Sequence, residues 1–199
     1  MDGNDHLGPR VLRVRAVDDV ADRVRAFTLE AADGQPLPSW TPGAHLDLDL
    51  APGLTRQYSL CGPPDAETLR IAVLREVESG GGSSYLHDHV RPGTLLTVRG
   101  PRNHFPLRDA PGYLFLAGGI GITPILAMVR EVAAGSVPWR LVYGARSRPA
   151  MAFLDEPPLD RDEVELCCQD TDGLPDLAAL IADVTPETAI YACGPPAML

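Results

Sequence analysis

Three residues of the segment "RQYSL" have side chains that are suited to holding a ligand. Arg56 is a permanent cation, Tyr58 is an aromatic plate with a hydroxyl, and Ser59 is a small donor or acceptor. In an extended strand, Arg56 and Tyr58 point to one face and Ser59 points to the other. Downstream, "SGGGSSYL" places glycines and the Ser83-Ser84 pair at a predicted helix start, where unpaired amides favour an anion. The pattern alone equally fits a strand and loop without a ligand.

A second candidate is the uncharged segment "LFLAGGIGITPILAMV", Leu114–Val129. Gly118, Gly119 and Gly121 follow a predicted strand and precede a predicted helix, which Thr123-Pro124 is expected to cap. The segment is too short and too interrupted for a membrane helix. Glycines let a backbone approach a phosphate closely, and a helix N-terminus attracts one. Two alternatives stay open here, a phosphate cradle and a tight turn without a ligand.

Two later predicted strands end in similar small-residue segments, "YGARSR" (Tyr143–Arg148) and "YACGPP" (Tyr191–Pro196). The carboxyl ends of parallel strands meet at one edge of a sheet, so these segments converge with the glycine turn, as a dinucleotide groove requires. Arg146 and Arg148 suit a ribose or phosphate contact, although a solvated loop fits them equally well.

The elements that must position these residues change in type along the chain. Residues 11–98 contain six short strand-like stretches separated by turn formers, which predict a small antiparallel barrel or sandwich. After "PRNHFPLRDAPG", strands alternate with helices, which predicts a parallel sheet. We therefore expect a loose N-terminal arm at 1–10, a barrel at 11–108 and an α/β domain at 112–199.

Composition excludes some classes of protein. The net charge is −10, and residues 109–199 hold 5 arginines against 13 acidic residues, the opposite of what nucleic-acid binding needs. The four cysteines have no zinc or iron–sulfur spacing and suggest reduced thiols in a cytoplasmic protein. No metal site is predicted: His87 and His89 fit a solvated helix edge, and "DEPPLDRDEVE" fits a solvated loop.

Taken in order, six motifs resemble the ferredoxin–NADP⁺ reductase superfamily, most closely its phthalate dioxygenase reductase and vanillate demethylase reductase branch. They are "RQYSL", "GGGSSYL", "PRNHFPL", "LFLAGGIGITP", "YGARSR" and "YACGPPAM", and they cover nearly the whole chain. The resemblance implies an all-β antiparallel Greek-key barrel that binds flavin, followed by an α/β parallel-sheet domain that binds NAD.

In the barrel, the resemblance implies that Arg56 binds the flavin phosphate, Tyr58 packs on the isoalloxazine ring, and Ser59 hydrogen-bonds near flavin N5. The phosphate site would be completed by Gly82, Ser83 and Ser84.

In the α/β domain, the resemblance assigns three groups of residues. The dinucleotide cradle would comprise Gly118, Gly119, Gly121, Thr123 and Pro124. Arg146 and Arg148 would hold the adenosine half, and Cys193, Gly194 and Pro195 would abut the nicotinamide. Ser59 and Cys193 would be the residues next to the reacting atoms, with no nucleophilic role for Cys193.

The implied function is hydride transfer from NAD(P)H to a flavin, then single-electron transfer to a ferredoxin domain or terminal oxygenase. The branch resemblance favours FMN over FAD; one arginine and a serine-rich helix start match one phosphate, and no clear aromatic platform for an adenine is visible. NADH is favoured by branch alone, and the two arginines after "YGA" leave NADPH open. The alternatives are an FAD-type reductase and a non-catalytic module that binds flavin or a partner; neither nucleic acid nor a membrane is an expected partner.

In the resembled branch, a helix, a fifth strand and a C-terminal 2Fe–2S domain follow the position of "CGPPAML". We therefore expect residues 1–199 to be a truncated piece of a longer reductase, with an incomplete α/β domain whose last parallel strand is an unpaired edge.

Overall fold

Six strands in the first half of the chain form one curled antiparallel sheet. The fold is described from a computed structural model, for residues 8–77 and 80–196. The strands are β1 (Arg10–Ala21), β2 (Val24–Ala31), β3 (Ala44–Ala51), β4 (Leu54–Ser59), β5 (Leu69–Leu74) and β6 (Leu95–Asn103). Their order across the sheet is β4-β3-β6-β1-β2-β5, so that β6 returns to lie between β1 and β3. This order differs from the chain order, as is typical of Greek-key barrels.

Alternation of apolar and polar residues explains why these strands curl around a core. In β3, Leu46, Leu48 and Leu50 are buried inside the barrel, and the residues between them face outward. The two edge strands meet at one corner, where a bridge joins Leu60, just after β4, to Ile71 of β5. A short helix, α1 (Gly82–His89), packs against β3, β4 and β5.

The second half contains a four-stranded parallel sheet with helices. Its strands are β7 (Gly112–Gly118), β8 (Trp139–Ala145), β9 (Val164–Cys168) and β10 (Thr188–Cys193), in the order β10-β7-β8-β9. Its helices are α2 (Ile122–Ala133), α3 (Gln169–Asp172) and α4 (Leu177–Ala182), and 3₁₀ turns span Gly119–Gly121 and Arg148–Ala150. β7 lacks polar alternation because both of its faces are covered. The predicted fold class is confirmed, and in the described part of the chain β10 pairs with β7 alone.

The link between the halves is held by two tyrosines of the parallel sheet. Tyr113 donates its hydroxyl to the Arg108 carbonyl, and Tyr191 accepts from the Arg108 amide. Of the predicted N-terminal arm, residues 1–7 lie outside the described residues, and Arg10 begins β1. Residues 197–199, at the end of the motif "YACGPPAM", also lie outside them.

The two halves share a hydrophobic cluster. It joins Ala26, Cys61 and Ala72 of the barrel to Ile122 and Ile125 of α2. The interface between the halves is therefore apolar at its centre, which favours a fixed arrangement over free relative motion.

No helix in the described ranges has the length and apolar character needed to cross a membrane. Within 8–77 and 80–196, no group of three or more histidine, cysteine or carboxylate side chains is placed to hold a metal ion.

Candidate functional site

Arg56 lies across the start of α1. Its guanidinium donates to the carbonyl oxygens of Thr55 (2.9 Å) and Gly80 (2.7 Å). A side chain at position 82 would collide with it, because a Cβ on Gly82 would lie 2.5 Å from Arg56 Cγ. Glycine at this position therefore lets the cation reach the end of the helix, where the helix dipole is positive. Among the residues that the structure describes, no carboxylate forms an ion pair with Arg56.

The two serines at this helix start hold the loop that precedes it. Ser83 Oγ accepts from the Glu76 amide at 3.2 Å, and Ser84 Oγ donates to the Gly81 carbonyl at 3.1 Å. Gly81 has a φ of 89°, a left-handed conformation that favours glycine. The predicted phosphate residues Gly82, Ser83 and Ser84 are thus brought together with Arg56.

Tyr58 and Ser59 point to opposite faces of β4. Tyr58 pairs with the buried Leu46 and packs against the barrel core, whereas Ser59 pairs with the outward-facing His45. Burial raises the pKa of Tyr58 to about 12, so the phenol is neutral at physiological pH. The strand therefore presents a neutral aromatic ring on the same face as Arg56 and a hydroxyl on the other.

A polar cluster beside Ser59 was missed by the sequence reasoning. The rings of His45 and His104 lie 5.3 Å apart, and Arg102 forms an ion pair with Asp47. Three of its atoms, His45 Nε2, Asp47 Oδ1 and Arg102 Nε, are buried without a hydrogen-bond partner in the described structure. Burial lowers the pKa of His45, while nearby Asp47 opposes that change. The period-two pattern of "AHLDLDL" was the available signal, since it puts His45 and Asp47 on one face.

The glycine turn lies in backbone contact with the end of β10. A Cβ on Gly121 would lie 2.5 Å from the Cys193 carbonyl carbon, closer still to its oxygen, and 2.8 Å from Gly194 N. Gly118 pairs with Gly144 of β8, so three strand ends meet at this edge. The small-residue segments therefore converge at this edge as expected. The approach is possible because the glycines there have no side chains.

Thr123 and Pro124 are buried in the first turn of α2. Thr123 donates its hydroxyl to the Ile120 carbonyl at 3.0 Å. The helix cap predicted at Thr123 is wrong, because Gly121 already has helical dihedral angles and α2 begins at Ile122. Pro124 is tolerated because amides in the first turn need no intrahelical acceptor.

Arg146 and Arg148 are exposed after β8. Arg148 lines a cavity of about 360 Å³ together with Leu166, Cys168 and the acidic residues Asp170 and Asp172. The Arg146 carbonyl accepts from the Asp170 amide at 3.1 Å, which links this loop to the end of β9. The cavity therefore lies at the carboxyl edge of the sheet, on the side of β8 away from β10.

Cys193 ends β10 and is half-buried, and Gly194 and Pro195 continue to the surface. Burial raises the pKa of the Cys193 thiol, which keeps it protonated at neutral pH. A protonated thiol is a poor nucleophile, and the absence of a nucleophilic role for Cys193 stays a prediction.

Both candidate sites adjoin the interface between the halves. Cys61, two residues after Ser59, packs in the same cluster as Ile122, the residue after Gly121. Strand β5 also contacts the 3₁₀ turn of Gly119–Gly121. The barrel segment and the glycine turn are therefore neighbours across one apolar boundary.

Two predictions of solvated side chains are wrong in part, at His87 and at Glu156. His87 is buried with Nε2 2.8 Å from the Val73 carbonyl, because it shares the inner face of α1 with Leu86. His89 is exposed, as predicted for both histidines, and stacks on Tyr85. In the loop predicted to be solvated, Glu156 instead accepts hydrogen bonds from two arginines.

Comparison with known proteins gives a consistent group of relatives, although no protein-family model matches the chain. Phenoxybenzoate dioxygenase subunit beta of Ectopseudomonas oleovorans is 46% identical in an alignment of 198 residues, which covers 97% of this chain and 61% of that protein. The full-length structure of CYP116B46 from Tepidiphilus thermophilus superimposes with a TM-score of 0.91 at 44% identity, covering 96% of this chain and 26% of that one.

Phthalate dioxygenase reductase, described as modular for electron transfer from pyridine nucleotides to 2Fe–2S, superimposes with a TM-score of 0.88 at 34% identity. That match covers 96% of this chain and 62% of the other. The chain spans about three fifths of the length of the curated relatives it matches, 61% for the first of them. Over the region that it spans, the chain is therefore similar to phthalate dioxygenase reductase and to the reductase subunits of oxygenase systems.

Proposed function

We propose that this chain is the flavin- and nicotinamide-binding part of a reductase that supplies electrons to an oxygenase. When bound, the flavin would accept a hydride from NAD(P)H and release electrons one at a time. The observation that carries the proposal is the position of both candidate sites at one interface, where Cys61 and Ile122 belong to one hydrophobic cluster and β5 contacts the Gly119–Gly121 turn. A reductant and an acceptor must approach within about 3.5 Å, and two units fixed face to face can impose that distance.

The barrel residues fit a flavin. Arg56 and the start of α1 would hold the phosphate, since a guanidinium without a carboxylate partner among the described residues, beside a helix N-terminus, suits that group. Tyr58 would present its neutral ring to the isoalloxazine, and Ser59 would hydrogen-bond near the reacting nitrogen. The orphaned buried atoms beside Ser59 are groups that a polar cofactor edge would satisfy.

The proposed anion site of the barrel suits a single phosphate group, and this favours FMN over FAD. Gly82 brings Arg56 onto the helix end, and Ser83 and Ser84 fix the loop around it. We propose that these residues would form one compact site for a single phosphate, which is the basis for preferring the smaller cofactor.

The glycine turn would hold the dinucleotide at the carboxyl edge of the parallel sheet. Gly118, Gly119 and Gly121 let the backbone approach the diphosphate, and the buried Thr123 and Pro124 would fix the helix start behind it. Cys193, Gly194 and Pro195 would abut the nicotinamide, where a small protonated thiol leaves the ring accessible.

NADH is the proposed reductant. Arg146 and Arg148 would contact the ribose or phosphates of the adenosine half. Asp170 and Asp172 line the same cavity as Arg148, and their carboxylates would repel the additional phosphate of NADPH.

The proposed electron acceptor is a ferredoxin domain or a terminal oxygenase, as the names of the relatives suggest. A cytoplasmic location is part of the proposal, supported by the four cysteines, which are free thiols.

An anaerobic NADH titration of the purified protein tests this proposal. We expect the protein to bind FMN in preference to FAD, and NADH to bleach the visible absorption of the bound flavin. The matched comparison uses NADPH at the same concentrations, which we expect to react about tenfold more slowly, the change that one unfavourable charge contact produces.

Protein that binds neither flavin would contradict the proposal outright. Flavin that binds but is not bleached by either nucleotide would favour the non-catalytic module. If FAD binds more tightly than FMN, the choice of flavin is wrong, but the rest of the proposal stands.

A further inference from the structure

The Glu156 carboxylate is shared between arginines from the two halves of the molecule. Its Oε1 accepts from Arg70 Nη1 at 2.7 Å, and its Oε2 accepts from Arg130 Nη2 at 2.5 Å. Arg70 belongs to β5 of the barrel, whereas Arg130 belongs to α2 and Glu156 to the loop after β8. The three side chains are largely buried, with 18–28% of their surface exposed.

These contacts close a ring across the interface. Arg130 Nη1 donates to the Cys61 carbonyl at 2.5 Å, and the Cys61 amide donates to the Arg70 carbonyl at 2.9 Å. Arg70 then returns to Glu156. The ring therefore crosses between barrel and α/β unit twice, once at each arginine.

The loop that carries Glu156 is itself held rigidly. Phe153 is buried with a φ of 69°, a left-handed conformation that a bulky residue keeps only when its surroundings enforce it. The Ala152 amide donates to the Tyr143 hydroxyl at 2.9 Å, and the Glu156 amide donates to the Phe153 carbonyl at 2.9 Å. The Arg70 guanidinium lies 5.0 Å from the centre of the Phe153 ring. The carboxylate is thus presented from a fixed backbone.

The centre of the described interface is otherwise apolar, and such packing does not by itself define an angle between the halves. Hydrophobic burial is non-directional, whereas paired charge-assisted hydrogen bonds have a fixed geometry. We propose that Glu156 is a positioning residue that fixes the α/β unit on the barrel, and so sets the distance between the glycine turn and Tyr58. Its kinetic consequence rests on the proposed function, but its structural consequence does not.

The test replaces Glu156 by glutamine, and the matched control replaces Asp155 by asparagine. Glutamine keeps one acceptor oxygen but turns an amino group toward the second guanidinium, so one side of the ring is lost. Asp155 is the exposed neighbour on the same loop, and D155N makes the same change of charge.

Hydrogen exchange on the full chain reads the position of the halves without any turnover. The Asp22 amide of the barrel donates to the Pro149 carbonyl of the α/β unit at 2.8 Å, which makes residues 20–26 and 147–153 reporters of the interface. We expect exchange there to be about tenfold faster in E156Q, as loss of one charge-assisted contact implies. Exchange in β3 should not change, and D155N should match the parent protein.

Flavin reduction gives the second readout. A residue that only positions the halves should leave FMN affinity and the KM for NADH within about twofold, because Glu156 lies outside both proposed ligand sites. The rate of flavin bleaching at saturating NADH should fall about tenfold, since transfer depends steeply on donor–acceptor placement. D155N should show neither change.

Two further variants keep the test decisive if E156Q folds poorly. R70K keeps the charge but loses the planar fork, so it should show the same changes to a smaller degree. In R70Q combined with E156Q, the losses should be far from additive, because both substitutions break one contact.

Additive losses, or equal effects in D155N, would overturn the proposal. A rise in KM with an unchanged maximal rate would also overturn it. If the parent protein binds flavin but NADH does not bleach that flavin, the proposed function fails. The comparison of hydrogen exchange in E156Q and D155N still tests the positioning role.

Discussion

The barrel site and the glycine turn are built in opposite ways. In the barrel, side chains reach inward: Arg56 extends over Gly82, and Tyr58 packs on the core. In the α/β unit, the contact between Gly121 and Cys193 is backbone against backbone. The barrel site therefore depends on the side chains that are present, whereas the glycine turn depends on the absence of side chains.

This difference predicts how each region responds to mutation. Removing a side chain from the barrel site should weaken ligand binding and leave the fold unchanged. Adding a side chain to the glycine turn should displace a strand, because no flexible group is available to move aside. Substitutions in the two regions therefore separate the two binding steps of the proposed reaction.

The largest effect is expected from Gly121→Val. Its Cβ would lie 2.5 Å from the Cys193 carbonyl carbon, so β10 and α2 must separate. We expect flavin reduction by NADH to fall by about a hundredfold or more, as a displacement of about 1 Å produces. Flavin titration should show that the barrel still binds, and the midpoint of thermal unfolding should decrease.

Gly144→Ala is the matched control for this substitution. Gly144 lies at the same sheet edge, paired with Gly118, but its nearest neighbours to a Cβ are at an ordinary 3.9 Å. If G144A impairs NADH oxidation as strongly as G121V, crowding at the Cys193 backbone is not the cause.

The next largest effect is expected from Arg56→Gln. Loss of a charge that holds a phosphate costs about 1.5–3 kcal/mol, so FMN affinity should fall roughly 10- to 100-fold. Fluorescence titration of FMN measures this change. Arg13→Gln is the control, since Arg13 is an exposed strand arginine paired at 3.6 Å with Glu30. Equal losses in both variants would show that only general surface charge matters.

Local pattern predicted the elements and motifs of both regions well. Alternation in "AHLDLDL", within the strand-like residues 11–98, predicted a strand where β3 lies, and the uncharged start of "LFLAGGIGITPILAMV" predicted the buried β7. Each pattern reflects which faces of the strand are covered. The glycine turn was predicted at the correct strand end for the same reason. Even the missed burial of His87 had a local signal, its place beside Leu86 on the inner face of α1.

The position of Glu156 had no such signal. Its partner Arg70 is 86 residues away in the chain, and the surrounding "DEPPLDRDEVE" has the composition of a solvated loop. The ion pair exists only once the sheet order has placed β5 against the α/β unit. Contacts between the halves are therefore the part of the molecule that sequence reasoning could not reach.

The smallest expected effect is a change of folding stability with pH, and it also distinguishes the barrel from the α/β unit. All five histidines lie in residues 1–108, and burial lowers the pKa of both His45 and His87 below the ordinary value of 6.5. Below about pH 6.5 the unfolded chain then binds more protons than the folded chain, so stability is lost as the pH falls through that window. We expect the urea midpoint to decrease by roughly a few tenths molar between pH 7.5 and 5.5.

Replacing both His45 and His87 by glutamine should remove most of this decrease. The fluorescence of the two tryptophans shows which half of the molecule is destabilised. Trp40 lies in the barrel and Trp139 begins β8, so W139F and W40F each leave one reporter. If the shared core and the Glu156 ring make the halves a single cooperative unit, both reporters should shift together on acidification, although only the barrel contains histidines. A shift of Trp40 alone would mean that the barrel unfolds independently, and a pH-independent midpoint would mean that the buried histidines do not couple protonation to folding.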